Sequence, residues 1–145
     1  VLVSHAAARM GAGVRSCGEC TLCCRLERIA ELAKPRNEWC VFCEIGKGCA
    51  IYGDHPNSCK SFKCWWLTNF SLGAEYRPDM IGAYAAGDPA AGYLRIMVDH
   101  GDPAILVDAV RSAGLHAIVN RGNQISFLQG EGQPKPERIM LDWIL

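Results

Sequence analysis

Apolar positions follow regular periods only in the second half of the chain. Met80 to Ala86 and Tyr93 to Val98 are apolar, β-favouring runs separated by a Gly87-Asp88-Pro89 turn, which predicts two strands. Pro103 to Ala113 predicts a helix. Proline stands near its start, Ile105, Leu106, Ala109 and Val110 share one face, and Gly114 stops it. Leu115 to Asn120 and Gln124 to Gln129 predict a hairpin around Arg121-Gly122-Asn123. Gly130 to Pro136 is polar and turn-rich, and Arg138 to Leu145 predicts a last strand.

The first half is different. Leu26, Ile29, Ala30 and Ala33 keep helical spacing and end at Pro35; an extended run is the alternative reading. Cys23 and Cys24 precede this stretch, which would set their thiolates at a helix N-terminus, where the dipole favours negative sulfur. Residues 1–16 read as a lead-in, 17–67 as a cysteine-rich module, and Asn69 to Pro78 as a linker. A cysteine-rich segment of ~50 residues buries little apolar surface alone. The expected fold is therefore α+β. A metal-binding module over 17–67 would pack on a small, mainly antiparallel sheet with one or two helices, formed by 78–145, in one compact domain.

Composition sharpens this division. All nine cysteines of the 145 residues lie between Cys17 and Cys64. Net charge is zero, so global charge steers the chain towards neither nucleic acid nor anionic membrane. No segment reaches the ~20 apolar residues that span a bilayer. Ala6-Ala7-Ala8, flanked by His5 and Arg9, is too short and polar for a secretory core. The expected compartment is the cytoplasm, where thiols stay reduced. An odd cysteine count and tight spacings argue for chelation over a disulfide framework.

Two Cys-x2-Cys pairs, Cys17/Cys20 and Cys40/Cys43, stand 19 residues apart. Two such pairs complete a tetrahedral site of the structural zinc type, which makes these four the first candidate site. The second uses Cys49, Cys59, Cys64 and either Cys23 or Cys24, leaving one thiol over. Iron–sulfur chemistry competes. Cys17, Cys20 and Cys23 reproduce the C-x2-C-x2-C segment of a [4Fe-4S] site, which would need a remote fourth ligand such as Cys64. Mononuclear iron is a further option.

Between Arg15 and Trp66 stand eight basic and six acidic side chains. Two zinc ions on eight thiolates would turn that excess into a net charge of about −2. A nucleic-acid-gripping zinc module shows a basic face instead. Lys60 and Lys63 are expected to donate towards sulfur or to remain solvated.

The run Cys17-Gly18-Glu19-Cys20-Thr21-Leu22-Cys23-Cys24 resembles the CxxCxxCC, or YkgJ-like, cysteine-cluster family of bacteria. So do Lys34-Pro35, Trp39-Cys40 with Cys43, Gly48-Cys49-Ala50-Ile51-Tyr52, His55-Pro56, Cys59-Lys60, Phe62, Cys64 and Trp66-Leu67. The resemblance covers about 17–67. It implies a zinc- or iron-chelating protein, mostly without an assigned activity among its members; some larger relatives are linked to iron–sulfur methyl transfer. The family usually carries Arg at the positions of His55 and Lys60. His55 is a replacement ligand or a surface turn residue.

Other chemistry is missing. There is no haem-attachment motif, zinc-deaminase signature, phosphate loop or G-x-S-x-G elbow. Asp99-His100-Gly101-Asp102 reads as a turn and helix cap. His5 reads as part of a mobile terminus and His116 as a surface or core residue. Trp39, Phe42, Phe62, Trp65 and Trp66 are expected to form a shell that shields the metal, or a docking patch. The expectation is a metal-binding protein with two thiolate zinc sites built from the nine cysteines. Its role would be structural or protein-interacting, without catalysis, and its partners metal ions and an unidentified protein. The alternatives are an iron–sulfur redox protein and a metal carrier or sensor.

Overall fold

Alternation along three strands decides how this chain is layered. The computed structural model describes residues 15–136. The lead-in up to residue 14 and the strand expected over 138–145 lie outside the described residues. In chain order the elements are α1 (Leu22–Leu26), β1 (Cys43–Glu44), β2 (Gly48–Cys49), α2 (Asn57–Ser61), α3 (Trp65–Thr68), α4 (Pro78–Ile81), β3 (Ala83–Ala86), β4 (Tyr93–Val98), α5 (Ala104–Ser112), β5 (His116–Arg121) and β6 (Gln124–Leu128). Single 3-10 turns occupy Ala30–Leu32, Ala74–Tyr76 and Pro89–Ala91.

The four long strands form one sheet in the order β3-β4-β5-β6. The β3/β4 and β5/β6 pairs are antiparallel, while β4 and β5 run parallel and are joined through α5. The fold is a small α+β arrangement with a mostly antiparallel sheet, as expected.

Side chains alternate across this sheet. Ala83, Ala85, Leu94, Ile96, Val98 and Ala117 share a core with Leu106 and Val110 of α5, and with Trp65 and Leu72. Tyr84, Ala86 and Met97 point the other way and pack with Leu22, Leu26 and Cys64. The sheet thus carries its helix on one face and the cysteine-rich segment on the other. Burying Leu22 and Leu26 contributes about 1.5–3 kcal/mol each.

Polar contacts pin the same junction. Glu27 accepts a hydrogen bond from the Tyr84 hydroxyl at 2.6 Å and faces Arg95 at 3.5 Å. Arg25 Nε meets Asp99 at 2.7 Å. Arg15 stacks on Trp66, 4.4 Å from the ring centre, and donates to the carbonyls of Trp66 and Leu72.

Three local expectations change. The helix expected over Leu26 to Ala33 does not form. Helix α1 ends at Leu26, Glu27 is extended, and Ala33 takes a left-handed conformation at φ 51°. Backbone pairing of Ile29 with Lys34 closes this segment as a tight loop instead. Cys23 and Cys24 consequently lie inside α1, not ahead of a helix.

The strand expected from Met80 starts at Ala83, because Pro78 opens the short helix α4. Gly82 ends it at φ +71°, and a Cβ there would stand 2.3 Å from the His100 carbonyl oxygen. The stretch Asn69 to Pro78 is no bare linker, since Leu72 is buried in the sheet core. Asp102 lies in the turn ahead of α5 and accepts from the Ala104 N–H at 3.0 Å, while Pro103 holds the cap position.

Leu26 is 1% exposed at the junction between the cysteine segment and the sheet. Leu26→Ala is expected to cost about 2–5 kcal/mol, read as a lowered midpoint of urea unfolding. A change below about 1 kcal/mol would mean that the two layers are not coupled through α1.

Candidate metal centre

Short turns deliver the thiols. In both Cys-x2-Cys pairs the second cysteine's N–H returns to the first one's carbonyl: Cys20 to Cys17 at 3.0 Å and Cys43 to Cys40 at 3.1 Å. Gly18 supports the first turn at φ +59°. Cys23 and Cys24 sit in the first turn of α1. The Cys40 N–H donates to the Cys24 carbonyl at 3.1 Å, which lays the second pair beside α1. Cys43 and Cys49 face each other across β1/β2. Cys59 lies in α2, and buried Cys64 caps α3.

All nine cysteines are free thiols, so no disulfide framework is present. Every one except Cys64 lines a single cavity of about 510 Å³. The wall between the sulfurs is largely apolar, with Phe42 and Phe62 among its members.

Two sets of neighbour relations run among the thiols, and Cys24 takes part in both. Burial pushes Cys17 up, and Cys64 and Cys20 are its strongest charged neighbours. Cys20 is raised to about 11 by burial, with Cys64 also beside it. Cys23 is held well above its ordinary value by its hydrogen bond to Cys24 and by burial, with Cys17 and Cys20 nearby. Cys20 and Cys23 also pack against the cluster that holds Cys64, while Cys24 acts on both Cys17 and Cys23.

The second group surrounds Cys24. Burial and then Cys24 push Cys43 up to about 12. Cys59 rises to about 11 through burial, with Cys24, Cys40 and Cys49 acting on it. Cys49 is raised by burial, with Cys24 and Cys40 close. Two contacts cut across the expected sites, Cys17/Cys20/Cys40/Cys43 and Cys49/Cys59/Cys64 with Cys23 or Cys24: the Cys40 N–H bonds to the Cys24 carbonyl, and Cys64 packs in one cluster with Cys20 and Cys23. Spacing encodes neither contact.

Cys24 is the exception to the general rise. The Cys23 thiol donates to it, outweighing its burial; Cys43 donates too and Lys34 adds positive charge. Its proton is released near about 6.

Among the described residues, no group of three or more His, Cys, Asp or Glu side chains is already arranged to hold a metal ion. The sulfurs share a cavity without converging on one point. Their chemistry nonetheless suits thiophilic ions, since soft thiolates select zinc, copper(I) and iron–sulfur clusters.

Several other candidates resolve. His55 lines the cavity, but its Nδ1 accepts the Gly53 N–H at 2.9 Å and its ring stacks on Tyr52, as a turn residue does. Lys60 and Lys63 are exposed. His116 is buried and its Nδ1 accepts the Gly130 N–H at 3.0 Å. The aromatic shell is only partial: Phe42 and Phe62 line the cavity, whereas Trp65 lies in the sheet core and Trp66 packs between both cores. Lys34, quoted only within a motif, emerges as a buried cation beside Cys24 and Cys40. Its burial depends on carbonyls of Arg25, Glu27 and Pro35, which no periodicity reveals.

Comparison with protein-family models, curated proteins and solved structures returns no match. The likeness to the CxxCxxCC family rests on the residue spacings alone.

In reduced, metal-free protein at pH 7, Cys24 is expected to be alkylated first by iodoacetamide, because its thiolate dominates there. Peptide mapping after brief labelling reads this directly. First labelling at another cysteine, with the order unchanged between pH 6 and pH 8, would mean that Cys24 is not the most acidic thiol.

Proposed function

We propose that this chain is a metal-binding protein whose thiolates hold zinc in two sites, with a structural or protein-interaction role and no catalysis of its own. The observation that carries the reading is the convergence of eight free thiols from five separate turns and short elements on one cavity, with Cys64 behind it. Unpaired cysteines are common singly in cores, but nothing in packing alone gathers so many.

Cys17, Cys20, Cys23 and Cys64 would hold one ion. Four of Cys24, Cys40, Cys43, Cys49 and Cys59 would hold the other and leave one thiol free. A zinc ion with four protein sulfurs has no open position for water, so it supplies folding energy and not hydrolysis. Among the described residues no helix is long and apolar enough to cross a membrane. A reducing, cytoplasmic compartment suits nine free thiols.

A second reading has its own support. The first group unites C-x2-C-x2-C with remote Cys64, the ligand pattern an iron–sulfur cluster would require. The protein would then serve redox or electron transfer.

Elemental analysis and an absorption spectrum of protein purified without oxygen separate these readings. Colourless protein with about two zinc per chain is the expected result. Brown protein containing iron and sulfide would assign the iron–sulfur reading, and protein holding neither metal would end both. Within the zinc reading, Cys40→Ser is expected to lower the metal content and the melting temperature together, because the bound ion contributes to folding. A variant that keeps both would remove Cys40 from the ligand set.

A further inference from the structure

A buried ammonium is rare unless something holds it in place. Lys34 is 7% exposed. Its Nζ donates to the carbonyls of Arg25 at 3.1 Å, Pro35 at 2.9 Å and Glu27. Three acceptors use three N–H donors, which an ammonium has and a neutral amine lacks.

Two of those carbonyls lie at and just beyond the C-terminal end of α1, the helix that bears Cys23 and Cys24. A cation there complements the helix dipole. The third, of Pro35, opens the loop leading to Cys40. Main-chain bonds between Ile29 and Lys34, and from Cys40 to Cys24, close the same loop. Lys34 is thus tied to both thiol-bearing segments at once. Burial lowers its proton affinity, while Cys40, Cys24, Glu27 and Glu38, in that order, are the negative partners that keep it charged.

We propose that Lys34 is the positioning and charge-setting residue of the Cys24/Cys40 group, fixing these two thiol segments against each other and favouring the metal-loaded state. This rests on the metal-binding reading. Four thiolates around a divalent ion carry about −2, more negative charge than the empty group, in which most thiols keep their protons. A fixed positive charge beside them therefore stabilises the loaded state over the empty one. Loading also adds to the counter-charge that Cys40, Cys24, Glu27 and Glu38 give the buried ammonium.

The test compares K34Q with K34R in the full chain. Glutamine keeps N–H donors for the carbonyl cage but loses the charge; arginine keeps the charge. Zinc is titrated at pH 7.5 in competition with a chromophoric chelator, and far-ultraviolet circular dichroism reports folding. The wild type is expected to take about two zinc ions. K34Q is expected to bind one of them at least about tenfold more weakly and the other unchanged, with K34R restoring most of the loss. K34Q that titrates like the wild type, or K34R impaired as much as K34Q, overturns the proposal.

Should K34Q fail to fold, K34R alone decides: near-wild-type affinity supports the role, and a tenfold loss overturns it. Wild-type protein that binds neither zinc nor iron would overturn the metal reading and this role together. Wild-type protein with two zinc ions beside an unaffected K34Q removes Lys34 only.

Discussion

The seating of α1 on the sheet is the contact on which everything else depends. Leu22 and Leu26, one turn apart, bury against Tyr84, Ala86 and Met97. The two residues between them that matter chemically, Cys23 and Cys24, are thereby turned towards the cavity wall. Immediately after the helix, Glu27 reaches Tyr84 and Lys34 reaches back to the Arg25 and Glu27 carbonyls. One five-residue helix is too short to hold its shape alone, so its order comes from this packing. The thiol groups inherit their placement from it.

The cavity is electrically uneven. Seven thiols are made poorer acids, chiefly by burial, while Cys24 is made a stronger one by the hydrogen bonds its neighbours give it. Such crowding disfavours many negative sulfurs at once unless cations offset them. Lys34 supplies one positive charge on the Cys24 side, and Arg15 acts on Cys64 at the other. Both cations are also mechanical staples, bonded to carbonyls of separate segments. Charge and geometry are therefore set by the same side chains.

Regular structure was readable where pattern and turn chemistry agreed. The helix at Ala104–Ser112 lies within the predicted span, and the β5/β6 hairpin turns at Gly122 and Asn123, inside the predicted turn. The strand β3 was placed too early because Met80 and Ile81 extend the apolar run, while Pro78 and Gly82 confine them to a helical turn. Leu22 and Leu26 are a helical pair hidden by the cysteines between them, so the periodic signal drew attention to Leu26–Ala33 instead. That segment folds back at Lys34, a residue whose burial depends on three carbonyls from elsewhere in the chain. The gathering of thiols at one cavity was legible from their spacing, but the contact between the Cys24 and Cys40 segments was not. Pairing by spacing assumes that near neighbours in sequence share a centre, and the Cys40 to Cys24 backbone bond crosses that assumption.

The two faces of the sheet are held by different means. On the α5 side, aliphatic side chains interlock with a nine-residue helix and six-residue strands. On the other, the backbone from Cys17 to Cys64 is made of elements two to five residues long, with much of its chain in isolated turns. Few amides there belong to a continuous ladder. Local opening of that layer costs less than global unfolding, so its amides exchange with solvent deuterium earliest and its peptide bonds meet proteases first, while the strands beneath stay closed.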